Sequence, residues 1–538
     1  MILNILIKDI NASLNCGEDD VFNRALAKLN KTHLPIKPLS FSVYKRSVDA
    51  RKRDNILLVY SVLCSCEASD DFDISEITDK GFSVIERPSI DIKIGNKKMQ
   101  KRPVVVGMGP AGIFCALILA ENGYRPILIE RGDDVDTRLR AKDNFYKTHV
   151  LDEESNVQFG AGGAGTFSDG KLVTRINDKA TSYVLKTLHE LGAPDDILTR
   201  AKPHVGTDLL INVVKNAAEK ITKLGGEIRY RTRLDDIDFY SDGSVKSITL
   251  NNTEKLECGP LVLALGHSAR DTYQMLMSKD LIIEPKSFSI GVRIEHLRSD
   301  IDHAMYGKAA DLGILGPAEY TLSHNTKQRG VYTFCMCPGG EVVAATSESG
   351  SVVVNGMSNY KRDGANSNSA VAVSIFGDDF GNTPKKAIEF QRSFEKLAYR
   401  MGGGGYAAPI CTLADFYSKT KGRSPDKVKP TYMNGENCRL VNFSEFLPGF
   451  MYDSLSDGIA AFDKKIKGFA SDSAVLSAFE TRTSAPVRII RGEDRCAISH
   501  NDLYPCGEGA GYAGGITSAA LDGLKTALSI IEKYSPLD

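Results

Sequence analysis

Apolar residues in the first hundred positions follow the two-residue period of strands, apart from one helical stretch. The segments ILNILIK (2–8), LSFSVYKRS (39–47) and NILLVYSVLCSC (55–66) are typical of strands. DDVFNRALAKLN (19–30) has the spacing of an amphipathic helix. This β-α-β-β order predicts an N-terminal α+β domain of ferredoxin-like type over residues 1–98.

From Lys101 onward the pattern becomes that of a doubly wound α/β domain. PVVVGMG predicts a buried strand, PAGIFCALILAENG a helix and RPILIER a second strand. Strands, glycine turns and polar loops alternate over 285–470, with a helix near PKKAIEFQRSFEKLAYR, before strand, turn and helix return. We expect an α/β fold in which a Rossmann-type domain (99–284 and 471–538) carries an inserted β-rich substrate domain (285–470).

The pattern GxGxxG occurs three times, and only the first match has the full context of a dinucleotide site. Gly107, Gly109 and Gly112 follow an apolar strand and open a helix. They would permit a tight turn, close approach to a pyrophosphate and close helix packing. Glu130 ends the next strand, at about the 20-residue distance expected for a ribose-binding acid. Glycines and a proline also divide the uncharged run 103–120, which argues against a membrane span.

The other two matches predict backbone contacts to the same cofactor. No apolar strand precedes the match at 160–165, and no second strand with an acid follows the match at 509–514. Both turns are suited to present N–H groups to an extended ligand. A nicotinamide dinucleotide needs only one such turn, so the three together favour FAD, whose ring would end against a helix N-terminus.

Several longer motifs resemble those of a known family. They are VVVGMGPAG with LIER, FGAGGAGTFSDGKL, KPHVGTDLL, LVLALGHSARDT, FSIGVRIEH, FCMCPGG, ETRTSAPVRI and PCGEGAGYAGGITSAALDG. Over nearly the whole chain the sequence resembles the bacterial uncharacterised FAD-dependent dehydrogenase family, also called NAD(FAD)-utilising dehydrogenases, within the glutathione-reductase-like flavoprotein superfamily. The resemblance implies FAD as cofactor. NAD(P)H would act only as a transient reductant, because we find no second Rossmann unit.

The resemblance also implies which residues hold FAD. Glu508 stands where the superfamily usually has Asp for the ribitol, and Leu234 is assigned to the adenine. The implied FAD contacts are Gly107, Gly109, Pro110, Ala111, Gly112, Glu130, Arg131, Gly163, Ala164, Gly165, Thr166, Ser168, Asp169, Gly170, Lys171, Leu172, Leu234, Gly266, His267, Gly507, Glu508, Gly514, Gly515 and Ile516.

A flavin carries out hydride chemistry itself, so the protein has to position the substrate and handle protons. Arg482, Lys171 and His204 are the catalytic candidates. Two of them have structural alternatives, a salt bridge for Lys171 and local packing for His204. The substrate-side candidates are polar residues in strands and loops: Arg293, Asn355, Arg362 and Ser484. For Arg293 a structural ion pair is the preferred interpretation.

Cys335 and Cys337 alternate to one face of a predicted strand. They are interpreted as small core residues, because nothing nearby in the sequence lowers a thiol pKa. A redox dithiol that passes electrons to the flavin is the alternative. No His or Cys cluster indicates a metal site.

Amino-acid composition and net charge limit the cellular location and the kinds of binding partner that we expect for this protein. The 11 cysteines form no disulfide framework and MILNILIKDI lacks a basic leader, so we expect a cytoplasmic protein. The net charge of −1 argues against nucleic acid as the general partner. The main hypothesis is an FAD-dependent oxidoreductase acting on a small organic molecule, with the oligomeric state left open. The alternatives are a flavoprotein that acts on RNA through the basic run KRSVDARKR (45–53) and a non-catalytic FAD-bearing interaction protein.

Overall fold

A computed structural model describes residues 1–80, 82–85 and 90–537, and its N-terminal unit is an antiparallel sheet covered by a helix. The strands lie in the order β2-β3-β1-β4, and α1 packs on the sheet through Val21, Ala25 and Leu29. The elements are β1 (Ile2–Ala12), α1 (Glu18–Asn30), β2 (Ile36–Asp49), β3 (Leu57–Ala68), α2 (Ser75–Asp79) and β4 (Ser83–Val84).

The end of β2 docks this unit on the next domain. The backbone N–H of Arg46 donates to the carbonyl of Thr199 (2.7 Å), and the N–H of Ala201 donates to the carbonyl of Arg46 (2.9 Å). In the basic run, Arg51 forms an ion pair with Asp49 (2.6 Å). Part of the positive charge of this run is therefore neutralised locally.

The second region builds most of a parallel sheet and a smaller antiparallel one. Its elements are β5 (Lys97–Lys98), β6 (Val104–Val106), α3 (Pro110–Glu121), β7 (Ile127–Ile129), α4 (Val135–Thr148), α5 (Ala180–Glu190), α6 (Thr207–Lys223), β8 (Glu227–Arg229), β9 (Leu234–Phe239), β10 (Val245–Leu250), β11 (Glu254–Glu257), β12 (Leu261–Leu263), α7 (Arg270–Met277) and β13 (Ile283–Pro285). The antiparallel sheet has the order β11-β10-β9.

The third region forms a seven-stranded sheet. Its elements are β14 (Phe288–Leu297), α8 (Arg298–Tyr306), β15 (Ser323–Asn325), β16 (Gly330–Cys337), β17 (Glu341–Ala344), β18 (Val354–Met357), β19 (Asn366–Ile375), α9 (Gly377–Phe380), α10 (Pro384–Met401), β20 (Ala408–Thr412), α11 (Leu413–Ser418), β21 (Cys438–Leu440), α12 (Gly449–Asp463) and β22 (Val475–Glu480). The strand order is β15-β16-β19-β14-β22-β20-β21. The predicted boundary at residue 470 would separate β22 from this sheet, yet β22 pairs with β14.

The last region completes the parallel sheet. It contains β23 (Val487–Ile489), β24 (Leu503–Pro505), α13 (Ile516–Lys533) and β25 (Tyr534–Ser535). The five parallel strands lie in the order β24-β12-β6-β7-β8, which places the two ends of the α/β domain side by side. The mixed α/β fold predicted from the sequence is confirmed, while the exact domain bounds stay predictions.

Helix α3 is apolar on every side because it is enclosed. Residues 111–120 are all buried, and α3 shares a core with α13. A Cβ on Gly523 of α13 would lie 2.0 Å from the carbonyl oxygen of Ala111, so the two helices meet at backbone distance. Across residues 1–80, 82–85 and 90–537, no helix has the length and apolar character needed to cross a membrane.

Candidate cofactor and substrate site

A cavity of about 360 Å³ opens at the carboxyl ends of the parallel strands. The turns after β6, β7 and β12 form one wall, and the start of α13 forms another. Strand β16 of the seven-stranded sheet and strand β18, which pairs with β17 in a separate two-stranded sheet, close the cavity. Ligands of open α/β sheets bind at this edge. The cavity therefore joins the α/β domain to the sheet-rich region.

The turn between β6 and α3 has the steric form of a phosphate loop. Gly107 has φ of +98°, and a Cβ on Gly112 would lie 1.8 Å from the carbonyl oxygen of Gly107. A Cβ on Gly109 would meet nothing within 4 Å, because this residue faces the cavity. The first turn of α3 has neither a side-chain cap nor an acidic residue. Its free N–H groups and positive dipole end favour an anion.

Glu130 joins three backbone segments beside this turn. Its carboxylate accepts hydrogen bonds from the N–H groups of Met108 (2.8 Å), Gly132 (2.9 Å) and Gly160 (2.9 Å). A carboxylate has about four acceptor positions. Glu130 also lines the cavity, so about one position remains for a ligand hydroxyl.

The second glycine turn lies directly against the first. A Cβ on Gly163 would stand 3.0 Å from Cα of Gly109. Behind this turn the fully buried Arg138 donates to the carbonyl groups of Asn156 (2.8 Å) and Ala161 (2.7 Å). The Arg138 side chain therefore holds this turn and the segment before it in place through their carbonyl groups.

The third glycine turn presents another helix start to the cavity. Helix α13 has no side-chain cap and no acidic residue in its first turn, and a Cβ on Gly514 would meet nothing within 4 Å. Glu508 also faces this region, and its carboxylate accepts no hydrogen bond from the described residues. Burial raises the pKa of Glu508 to about 7, and the interaction with nearby Cys335 adds to the increase. The positive charge of Lys286 acts in the opposite direction and lowers this pKa.

A buried ion cluster fixes the Arg482 side chain in the cavity wall. Its guanidinium donates to Glu395 (2.9 Å) and to the hydroxyls of Ser347 (2.6 Å) and Ser268 (2.9 Å), while Arg270 also pairs with Glu395 (2.7 Å).

The same cluster affects the neighbouring histidine of the wall. Burial, together with the charges of Arg482 and Arg270, lowers the pKa of His267 to about 3. His267 is therefore a neutral imidazole in the wall at neutral pH.

Most of the predicted FAD residues lie around this single cavity. Those in the wall are Gly107, Gly109, Pro110, Ala111, Glu130, Arg131, Gly163, Ala164, Gly165, Ser168, Asp169, Gly170, Lys171, Leu234, Gly266, His267, Glu508, Gly514, Gly515 and Ile516. Gly112, Thr166, Leu172 and Gly507 do not line it.

Some of the predicted catalytic and substrate-binding residues line the cavity and others do not. Arg482, Lys171 and Asn355 line the cavity, whereas Ser484 does not. His204 is turned away from it and contacts the carbonyl of Tyr360 (2.9 Å).

Two predicted substrate-side arginines do not line the cavity and are occupied by ion pairs. Arg293 is fully buried and pairs with Glu480 (2.6 Å). Arg362 pairs with Asp169 and Glu319. The structure therefore gives Arg293 the structural ion pair that the sequence favoured.

Cys335, interpreted from the sequence as a small core residue, lines the cavity beside Phe334. The expectation that nothing lowers its thiol pKa is wrong. Hydrogen bonding by the Cys337 thiol lowers the pKa of Cys335 despite burial, and the charges of Arg293 and Lys171 add to this effect. These two basic residues lie far from Cys335 in sequence, so only the CxC spacing pointed to it.

A close relative establishes the family. A protein of Clostridium beijerinckii described as an uncharacterized protein is 47% identical over 534 residues, covering 98% of this chain and 99% of the relative. This chain belongs to the same family. Residues 287–483 match the family described as FAD-dependent protein, C-terminal domain-like. FAD is the cofactor of this protein.

Solved structures give weaker similarities. The halogenase PltM is 13% identical and the alignment covers 80% of this chain and 68% of that one, with a TM-score of 0.37. CtdE, solved in complex with FAD and substrate 4, is 10% identical with coverage of 80% and 84% and a TM-score of 0.34. A geranylgeranyl bacteriochlorophyll reductase-like protein of Thermoplasma acidophilum is 11% identical, with coverage of 80% and 78% and a TM-score of 0.34. TM-scores this low do not establish a shared fold over the whole chain.

Proposed function

We propose that this protein is an FAD-dependent oxidoreductase that transfers a hydride between flavin N5 and an organic substrate. The observation that carries this proposal is one cavity bounded by two uncapped helix starts, α3 and α13, and by the seven-stranded sheet. Bound FAD would supply the hydride chemistry. The substrate would bind on the side of the seven-stranded sheet.

In this proposal the start of α3 binds the pyrophosphate of FAD, and the start of α13 faces the flavin ring. Free N–H groups at α3 and the open space at Gly109 suit the pyrophosphate, and Glu130 has about one acceptor position for a ribose hydroxyl. Leu234 lies in the cavity wall and would contact the adenine. The start of α13 would stabilise negative charge on the reduced ring.

Three groups of the wall would then act on the substrate. Glu508 has a pKa of about 7 and its carboxylate has no hydrogen-bond partner among the described residues, so it is suited to exchange a proton near neutral pH. Arg482 is held in place by Glu395 and would contribute positive charge toward an anionic substrate group. Asn355 offers a neutral polar contact from β18.

Anaerobic spectroscopy of the FAD-loaded protein tests the proposed function. NADH, NADPH and candidate organic donors would be mixed with the protein in turn, and reoxidation by organic acceptors would be followed in the flavin spectrum. We expect at least one donor to bleach the flavin and one acceptor to restore it. A flavin that responds to no hydride donor or acceptor would favour the non-catalytic alternative.

A further inference from the structure

Cys335 and Cys337 occupy an irregular end of β16 at the cavity. Cys335 lines the cavity, whereas Cys337 is fully buried beneath it. The pairing of β16 with β19 loses register between Phe334 and Cys337, and Cys335 has φ of +46°. The irregularity accounts for the different exposure of two residues that a regular strand would place on one face.

The Cys337 thiol and the backbone of Cys335 belong to one small polar network. The Cys337 thiol donates to the carbonyl of Cys335 (3.3 Å). Arg293 donates to the same carbonyl (2.6 Å) and to Sγ of Cys337 (3.3 Å). Residues two apart in an extended strand are at most about 6.8 Å apart at Cα, within the range that a disulfide can bridge.

Two cations lie beside the cysteine pair. Besides Arg293, the ammonium of Lys171 donates to the carbonyl of Met336, between the two cysteines. Cations beside a thiol stabilise the thiolate, which is the reactive form. These cations therefore favour ionisation of the cysteine pair, with Arg293 directly at Sγ of Cys337.

We propose that Cys335 and Cys337 form a redox dithiol that exchanges an electron pair with the flavin of the neighbouring cavity. The proposal rests on the proposed function, since FAD must occupy the cavity. In the oxidising direction, both S–H bonds are lost and one Sγ–Sγ bond forms. Two electrons and two protons leave the pair and convert oxidised FAD into FADH₂. The reverse step restores the dithiol.

The chain contains an internal control for this chemistry. Cys64 and Cys66 form a second CxC pair with 3.2 Å between their sulfur atoms, but both are buried in the N-terminal sheet and neither lines the cavity. Trypsin cleavage would place Cys335 and Cys337 on the peptide 330–361 and Cys64 and Cys66 on the peptide 54–80, with no other cysteine on either. One digest therefore reports both pairs.

The test is an anaerobic reductive titration of the FAD-loaded protein, in which flavin absorbance is recorded and each sample is alkylated for peptide mass analysis. We expect peptide 330–361 to change between disulfide and dithiol as the flavin is titrated, while peptide 54–80 stays a dithiol. Wild type should take up about twice as many electrons as Cys335→Ser or Cys337→Ser, since a flavin and a dithiol each hold one pair.

The outcomes separate this proposal from the proposed function. If FAD binds and is reduced while peptide 330–361 remains a dithiol throughout, the dithiol proposal is overturned and the oxidoreductase proposal stands. If the protein binds no FAD, the proposed function itself fails. The peptide masses are measured on the wild-type protein, so the test gives a clear result even where a variant folds poorly.

Discussion

The carboxylate of Glu130 accepts a hydrogen bond of 2.9 Å from the backbone N–H of Gly160. This bond ties the end of β7 to the second glycine turn, and the bond from Met108 ties it to the first. The residue expected to bind ribose thus also holds together the two turns that face the cofactor. Binding and local structure are coupled at this position.

Glu130→Gln should weaken FAD binding about tenfold or more. The substitution removes charge-assisted acceptance, worth ~1.5–3 kcal/mol for a hydrogen bond to a charged group, and ~1.4 kcal/mol is a tenfold change in affinity. FAD titration of the apoprotein by fluorescence quenching measures the change. Glu284→Gln, at an exposed position outside the cavity, is the matched control. Equal affinities of the two variants would contradict the assignment of Glu130.

Gly109→Ala and Gly112→Ala should fail in different ways. At Gly109 the backbone is extended and a Cβ meets only open space, so the fold should tolerate alanine within about 0.5 kcal/mol while FAD affinity falls about tenfold. At Gly112 a Cβ would strike the carbonyl of Gly107, so stability should fall by ~1–3 kcal/mol. Urea unfolding of the apoprotein and FAD titration separate the two effects. A Gly109→Ala variant that binds FAD normally would remove the phosphate assignment.

Glu508 should make the stability of the apoprotein depend on pH. Between its ordinary pKa of 4.5 and about 7, the folded protein retains a proton that the unfolded chain loses. Stability therefore falls as pH rises through this window, by at most ~3 kcal/mol. Thermal unfolding of wild type and Glu508→Gln across this range measures the difference, which should grow with pH in favour of the variant. A pH-independent difference would mean that Glu508 titrates normally.

The buried cluster around Glu395 predicts an asymmetry between its members. Glu395→Ala leaves Arg270 and Arg482 buried without their shared carboxylate, which should cost ~3–5 kcal/mol in the free energy of unfolding. Arg482→Ala should cost less, because Arg270 still pairs with Glu395 through both carboxylate oxygens. Urea unfolding compares the two. A larger loss for Arg482→Ala would show that Glu395 is held mainly by Arg482.

The first glycine turn was predictable because its requirements are local. A strand, three glycines and an acid at one spacing determine the contacts of Gly107, Gly112 and Glu130. The placement of His204 was not, since its partner Tyr360 lies 156 residues further along the chain.

The part of the cavity wall that comes from the seven-stranded sheet could not be predicted from the alternation of residues either. Alternation placed Cys335 and Cys337 on one face, but the irregular register of β16 exposes the first and buries the second. The arginine beside them, Arg293, comes from β14. Local sequence predicts strands well, but not the breaks in register that pairing between distant strands imposes.

The most direct test of the account is a spectral titration of the apoprotein with FAD, followed by anaerobic addition of hydride donors and organic acceptors. We expect binding of one FAD per chain, bleaching by a donor and recovery with an acceptor, with binding weakened in Gly109→Ala. A folded protein that takes up no FAD, or whose bound FAD is insensitive to both donors and acceptors, would contradict the oxidoreductase assignment.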